Sequence, residues 1–247
     1  MPASRPTPRP TAKGPAPRRP ASKGPTPKRP AGRGPTARRL LQLALVVGVL
    51  VLLGLLVSAI LSSEPDTPAS DAQVVRENSH VLNQATDEKA VLVEFLDLEC
   101  EACRAYFPAV EQLREEHADE LTLVMRYFPL PGHTNSTNAA VAVEAAAAQG
   151  QLKPMYQRMY QTQTEWGEAQ ESKAHVFRDF AQDLGLDMDA YDAAVADPAT
   201  TARVQADFDE GRALGVSTTP TFFLDGERLE VTSPAHLAEA VQAALEE

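Results

Sequence analysis

The apolar positions of this chain fall into three regimes. Residues 1–39 hold almost none. Instead PTAKGPAPRR, PASKGPTPKR and PAGRGPTARR, starting at Pro10, Pro20 and Pro30, follow one another with a period of ten. Proline and glycine break regular structure and there is little to bury, so this stretch predicts a disordered, partly polyproline-II arm. Leu40 to Leu61 is the opposite: LLQLALVVGVLVLLGLLVSAIL, 22 residues without a charge. As a helix it reaches roughly 33 Å, enough to cross a hydrocarbon core of about 30 Å. Residues 62–78 return to polar, Pro- and Ser-bearing sequence and predict a linker.

Beyond residue 79 the pattern is that of a folded α/β domain. VLNQ (81–84) predicts a short strand. AVLVEFL (90–96) is continuous and rich in β-branched residues, as a buried central strand should be. A helix is predicted from the two cysteines to about His117, with Phe107, Val110 and Leu113 on one face and a kink at Pro108. LTLVMRYF (121–128) predicts the next strand. A helical block follows: 135–149 with an Asn/Ser cap and a closing Gly150, 154–163, 172–184 capped by Ser172, 187–196, and 200–214 closed by Gly215. TFFL (221–224), a turn at Asp225-Gly226 and a partner strand at 227–231 predict a hairpin. Ser233-Pro234 opens a final helix.

Charge separates the halves. Residues 1–63 contain no Asp or Glu, and the arm carries 11 of the 23 basic residues. Residues 64–247 hold the other 12 and all 34 acidic residues, a formal charge of −22. The basic excess before the apolar segment places the N-terminus in the cytoplasm and everything after Ser62 outside, with the segment as a single-pass anchor in the cell membrane. A cleaved signal peptide is the rival, with small residues at Val57-Ser58-Ala59. The apolar run is longer than the 7 to 15 residues of a signal core. The arm reads either as a solvated tail that enforces topology or as a contact for anionic headgroups or ribosomal RNA. The acidic domain would repel a phosphate backbone, so nucleic acid is not an expected partner of it.

The candidate chemistry sits at the end of the 90–96 run. Cys100 and Cys103 are the only cysteines. At a strand-to-helix turn, the first sulfur lies near free N–H groups that stabilise a thiolate, and the second lies one turn on, within disulfide reach. Cys100 would attack and Cys103 would resolve the mixed disulfide. Zinc wants four ligands, and His80, His117, His133, His175 and His236 are scattered, as surface or capping residues are. An inert disulfide over so short a loop would constrain little chain entropy. Glu94 is costly to bury ionised within AVLVEFL. It is a candidate proton partner of Cys103, unless Lys89 satisfies it; Asp97 is an equal candidate acid. Pro220 directly precedes an apolar strand, where a ladder N–H is wanted, which a cis Thr219-Pro220 bond in a turn would resolve.

Together, VEFLDLECEACRAYFP and GVSTTPTFFLDG resemble the thioredoxin superfamily, in its DsbA-like branch. RYFPLPGHTNSTNAAVAVEAAAAQGQLKPMYQRMY is similar to the segment after the third strand in that branch's membrane-anchored bacterial members. The resemblance covers about residues 80–247. It implies a thioredoxin fold, a central mixed sheet flanked by helices, with a helical domain inserted at about 135–214. It implies Cys100 as the exposed nucleophile, Cys103 as the buried resolving thiol, and Pro220 as a cis proline facing them. It also implies that the Thr219 backbone pairs with substrate chain and that Glu94 is the family's buried carboxylate, with no cofactor. The activity implied is protein thiol-disulfide exchange: oxidation of secreted proteins with renewal by a membrane redox partner, or reduction and isomerisation fed by a membrane electron donor. A non-catalytic anchored binding module is the reading from another class. One departure stands out. Strongly oxidising members carry Pro-His between the cysteines, and this chain has Glu101-Ala102. With Glu99 beside it, Glu101 is expected to raise the Cys100 pKa, giving a potential near the middle of the span from about −270 to about −120 mV.

Overall fold

The computed structural model describes residues 72–246, together with Leu45, Gly48 and Val49, which are helical. The arm at 1–39, the rest of the predicted membrane segment 40–61 and the linker as far as residue 71 lie outside the described residues. Among the described residues no helix is long and apolar enough to cross a membrane.

The order of elements is β1 (His80–Asn83), β2 (Ala90–Leu96), α1 (Glu101–Glu116), β3 (Leu121–Tyr127), α2 (Ser136–Ala147), α3 (Leu152–Trp166), α4 (Ala174–Asp183), α5 (Met188–Ala196), α6 (Pro198–Ala213), β4 (Thr221–Leu224), β5 (Glu227–Leu229) and α7 (Pro234–Leu245). The strands form one mixed sheet in the order β1-β3-β2-β4-β5. β2 and β3 run parallel, and every other neighbouring pair is antiparallel. The crossover from β2 to β3 is α1. The five helices α2 to α6 separate β3 from β4.

Alternation along β2 and β3 decides which side chains meet which layer. Leu92, Leu96, Leu123, Met125 and Tyr127 join a large core with Val110 and Leu113 of α1 and Leu237, Val241 and Leu245 of α7. Val93, Phe95 and Val124 join a smaller core with Phe128, Val216 and Phe223. Both faces are covered, which is why the two strands read as unbroken apolar runs. Gly211 of α6 lies against the second face so closely that a Cβ there would stand 2.8 Å from Phe128 and 3.0 Å from Phe95.

Asp225 and Gly226 both adopt positive φ, 51° and 85°, the conformation a two-residue hairpin needs. The Asp225 side chain also accepts the Val91 N–H at 2.8 Å. Helix α1 runs on through Pro108. Asn135 is the N-cap of α2 but makes no side-chain cap bond. Its amide is used elsewhere: Oδ1 accepts the Lys173 N–H, and Nδ2 donates to the carbonyls of Ala169 and Glu171. Helix α4 begins after Lys173 rather than at a Ser172 cap.

The domain also starts earlier than the sequence pattern indicates. Residues 73–78, placed in the linker, bind the second face of the sheet. Arg126 of β3 points into that face, fully buried. It donates to Asp207 at 2.6 Å and to the carbonyls of Gln73 and Val74 at 3.2 and 2.9 Å. Arg76 pairs with Glu210 at 2.8 Å, and Arg203 donates to the Asn78 carbonyl. A buried guanidinium needs acceptors on all its N–H groups; α6 supplies two through Asp207 and Glu210, and the chain ahead of β1 supplies the rest.

Candidate active site

β2 delivers the chain to a turn at 97–100, and α1 starts immediately after it. Cys100 is the N-cap residue of α1, in extended conformation, so its sulfur stands at the helix mouth. Its own N–H is held by the Asp97 carbonyl, and its carbonyl accepts from the Arg104 N–H. Cys100 is 7% exposed, and Cys103, one turn on, is fully buried. Both thiols are free. The hydrogen bond from the Cys103 thiol is the largest influence on Cys100 and lowers its pKa. Burial opposes it, and Thr219 and the N–H groups of Cys103 and Ala102 add to it, bringing the pKa to about 6. Cys103 goes the other way. Burial first, then the hydrogen bond to Cys100 and the charge of Glu94, push it well above the usual thiol range. The two sulfurs are therefore unlike: one ionises at neutral pH and the other holds its proton.

This corrects the expectation for Glu101 and Glu99. Next to Cys100 in sequence, they do not set its pKa upward, because neither carboxylate is spent on the sulfur. Glu99 is buried and turns away, accepting the N–H of Asn135 at 2.6 Å and of Glu168 at 3.0 Å. Glu101 is exposed, and Glu168 is the first cause of its lowered pKa. Water screens it from the thiolate, whereas the helix N–H groups act at contact distance.

The Thr219-Pro220 bond is cis. Pro220 is half-buried and Thr219 is buried. The turn they form stands over Cys100, whose thiol donates to the Thr219 carbonyl at 3.5 Å, across 119 residues of sequence. Thr219 Oγ1 is buried with no hydrogen-bond partner among the described residues.

Glu94 lies on the same face of β2 as Leu92 and Leu96, below the start of α1. It is 1% exposed, and its Oε2 has no hydrogen-bond partner among the described residues. Burial, then the charges of Cys100 and Glu111, raise its pKa to about 8. Lys89 does not satisfy it, since Lys89 pairs with Glu120 at 2.5 Å. Asp97 is not a free acid either. Its carboxylate accepts the N–H groups of Glu99 and Leu130, the Ser136 hydroxyl and His133 Nδ1. Of the two candidate acids, Glu94 alone is left with an open oxygen.

The insertion supplies residues that the motifs did not reveal. Gln163 of α3 is buried and donates to the carbonyls of Leu98 and Cys100 at 2.7 and 3.0 Å, while its oxygen accepts from Arg104 at 3.0 Å. Tyr160 donates to the Asp97 carbonyl. The cysteine turn is thus clamped from outside. The available signal was Gln163 itself, an amide in line with the buried Met155 and Met159 on an otherwise apolar stripe. Among the described residues, no group of three or more His, Cys, Asp or Glu is placed to hold a metal ion.

Residues 83–245 match the protein-family model described as "Thioredoxin". The chain is 34% identical over 155 residues to the Na(+)/H(+) antiporter NhaA of Herminiimonas arsenicoxydans, covering 63% of this chain and 24% of that protein. It is 35% identical over 147 residues to Na(+)/H(+) antiporter NhaA 1 of Mycobacterium sp. (strain KMS), covering 58% and 23%. The chain thus spans about a quarter of the length of these curated relatives. Among solved structures it resembles a thioredoxin-like oxidoreductase from Silicibacter pomeroyi DSS-3, with TM-score 0.59 and 24% identity over 72% of this chain and 99% of that one. Wolbachia pipientis alpha-DsbA1 gives TM-score 0.58 and 18% identity over 70% and 93%, and BdbD from Bacillus subtilis 0.57 and 15% over 73% and 97%. These likenesses are to the fold. With the family model matched along about two thirds of its length and both cysteines in the matched region, the chain belongs to the thioredoxin family, in the DsbA-like form of the fold.

Proposed function

We propose that this protein is a membrane-anchored, extracytoplasmic protein thiol-disulfide oxidoreductase that forms disulfides in secreted proteins. The observation that carries the reading is the inequality of the two sulfurs: the Cys100 pKa is lowered to about 6, first by the Cys103 thiol and then by Thr219 and the N–H groups of the helix start, and the buried Cys103 is raised. Such a pair makes Cys100 the leaving group of any mixed disulfide, because the lower-pKa sulfur departs faster.

The steps balance as follows. In the disulfide form, a substrate thiolate attacks Cys100 Sγ. The Cys100–Cys103 bond breaks, and Cys103 leaves with the electron pair and takes a proton, for which Glu94 is the nearby buried acid. A second substrate thiolate attacks the substrate sulfur of the mixed disulfide and releases Cys100 as the thiolate. The substrate has lost two electrons and the protein is the dithiol. A membrane redox partner that accepts two electrons restores the disulfide.

The anchoring part rests on the sequence of residues 40–61, which would insert in the lipid bilayer with the basic arm in the cytoplasm. Reduced RNase refolding and insulin reduction with the full chain test the activity. Oxidative refolding of RNase is the expected result. No turnover in either assay, with both cysteines intact, refutes the enzyme and leaves a binding module. The in-cell state of the cysteines tests the direction: a resident disulfide is expected, and a resident dithiol would show a reductase or isomerase.

A further inference from the structure

The Cys100-Glu101-Ala102-Cys103 loop offers no cation to a Cys100 thiolate, yet a histidine reaches the site from elsewhere. The segment after β3 is wrapped around the two buried carboxylates of the cysteine turn. Leu130 N–H, His133 Nδ1 and the Ser136 hydroxyl all converge on Asp97, at 2.9, 2.6 and 2.5 Å. Asn135 N–H binds Glu99 at 2.6 Å. Asp97 also holds the Cys100 N–H through its carbonyl. The same residue therefore fixes both the nucleophile and the histidine. Asp97 is fully enclosed, while the His133 side chain is 28% exposed and in contact with solvent. With Nδ1–H given to Asp97, the proton that charges the ring sits on Nε2.

We propose that His133, held by Asp97, is the cation that stabilises the Cys100 thiolate, replacing from a separate loop the residue type absent between Cys100 and Cys103. The charges that act on the ring are anionic. Asp97 and Glu99 come from the turn and Cys100 from the helix start, and all three favour the charged imidazole against its burial. Glu101 at the start of α1 and Glu168 after α3 feel its charge in turn. Arg104, the cation of the same helix turn, is tied to Gln163. His133 touches no reacting atom in this arrangement; it is a positioning and tuning residue. The consequence is that oxidising strength depends on pH, since the ring adds to the stability of the dithiol form only while it is charged.

The proposal rests on the redox reading above, but its test needs no substrate. In the full chain, the His133 ring is titrated by NMR in the dithiothreitol-reduced and glutathione-oxidised forms, with H133Q for assignment. Coupling is reciprocal, so His133 should titrate higher in the dithiol form by about half a pH unit, and H133Q should raise the Cys100 thiolate midpoint by the same amount. The glutathione equilibrium of H133Q should move about 1.5-fold towards the disulfide near pH 6, about 5 mV less oxidising, and converge with the parent at pH 9. H133K keeps the charge and should hold the Cys100 midpoint low. Identical His133 titration in both redox forms overturns the proposal, and so does an unchanged Cys100 midpoint in a folded H133Q. If H133Q fails to fold, the two-form titration of the parent protein decides. Failure of the oxidase assays leaves these titrations readable, so the two readings fail separately.

Discussion

Replacing Glu94 by Gln isolates the energetic cost of the buried acid. Glu94 is 1% exposed, with one oxygen unpartnered, and its pKa rises from an ordinary 4.5 to about 8, chiefly through burial. An acid whose folded pKa is raised binds a proton more tightly in the native state. Stability is therefore unpenalised below about pH 4.5 and is lost as pH rises towards 8, where the loss levels off. Each pH unit of that span is worth about 1.4 kcal/mol. The penalty is then about 3 kcal/mol at pH 7 and about 5 kcal/mol above pH 8, a large part of a typical stability. Glutamine has the same shape, buries a polar group of its own, and does not titrate. The quantity to measure is the difference in unfolding free energy between E94Q and the parent, by urea, from pH 4.5 to 8.5 under reducing conditions. Trp166 is the only tryptophan and is fully buried, so its fluorescence reports this domain alone. The difference should move in favour of E94Q by about 3 kcal/mol between pH 4.5 and 7. In the disulfide form the Cys100 charge is absent and the rise should be complete at lower pH. A difference flat to within about 1 kcal/mol across the range would refute a buried, uncompensated Glu94. With the fold retained, E94Q should also slow exchange at the step that releases Cys103.

Three further outcomes follow from the same geometry. Iodoacetamide should modify Cys100 with a pH midpoint of about 6 and leave Cys103 unreacted in the native protein, and C103A should trap substrates on Cys100; a midpoint near that of a free thiol would contradict the helix-start stabilisation. Q163A removes the amide that holds the Leu98 and Cys100 carbonyls, and urea unfolding should show a loss of about 1–3 kcal/mol, with faster amide exchange in the cysteine turn. G211A places a methyl against Phe128 and Phe95 and should cost about 1–3 kcal/mol with Cys100 reactivity unchanged, whereas no change in stability would mean that α6 shifts freely on the sheet.

Some of the site was legible because its causes are local in the chain. Apolar runs covered on both faces announce β2 and β3. Asp225-Gly226 announces a turn with two positive φ angles, and Pro220 before an apolar strand calls for a turn there. The boundaries that the pattern does not give depend on partners elsewhere. Residues 73–78 continue a mostly polar stretch that reads as tether, but the buried Arg126 of β3 holds the carbonyls of Gln73 and Val74. In sequence Asn135 reads as a plain helix cap, but its amide serves the 169–173 segment.

By itself the sequence determined the placement of two sulfurs, one turn apart, at the start of a helix, with a Thr-Pro turn available to meet them. That information is carried by spacing, and spacing survives without a third dimension. Only the tertiary structure decided how the sulfurs differ. Glu99 and Glu101 adjoin Cys100 in the chain and ought to repel a thiolate. In space, Glu99 binds two N–H groups of other segments and Glu101 is in water. The groups that hydrogen-bond the sulfur are the Cys103 thiol, Thr219, 119 residues away, and the N–H groups of its own helix. Electrostatic influence follows distance and dielectric, and neither can be read from the order of residues.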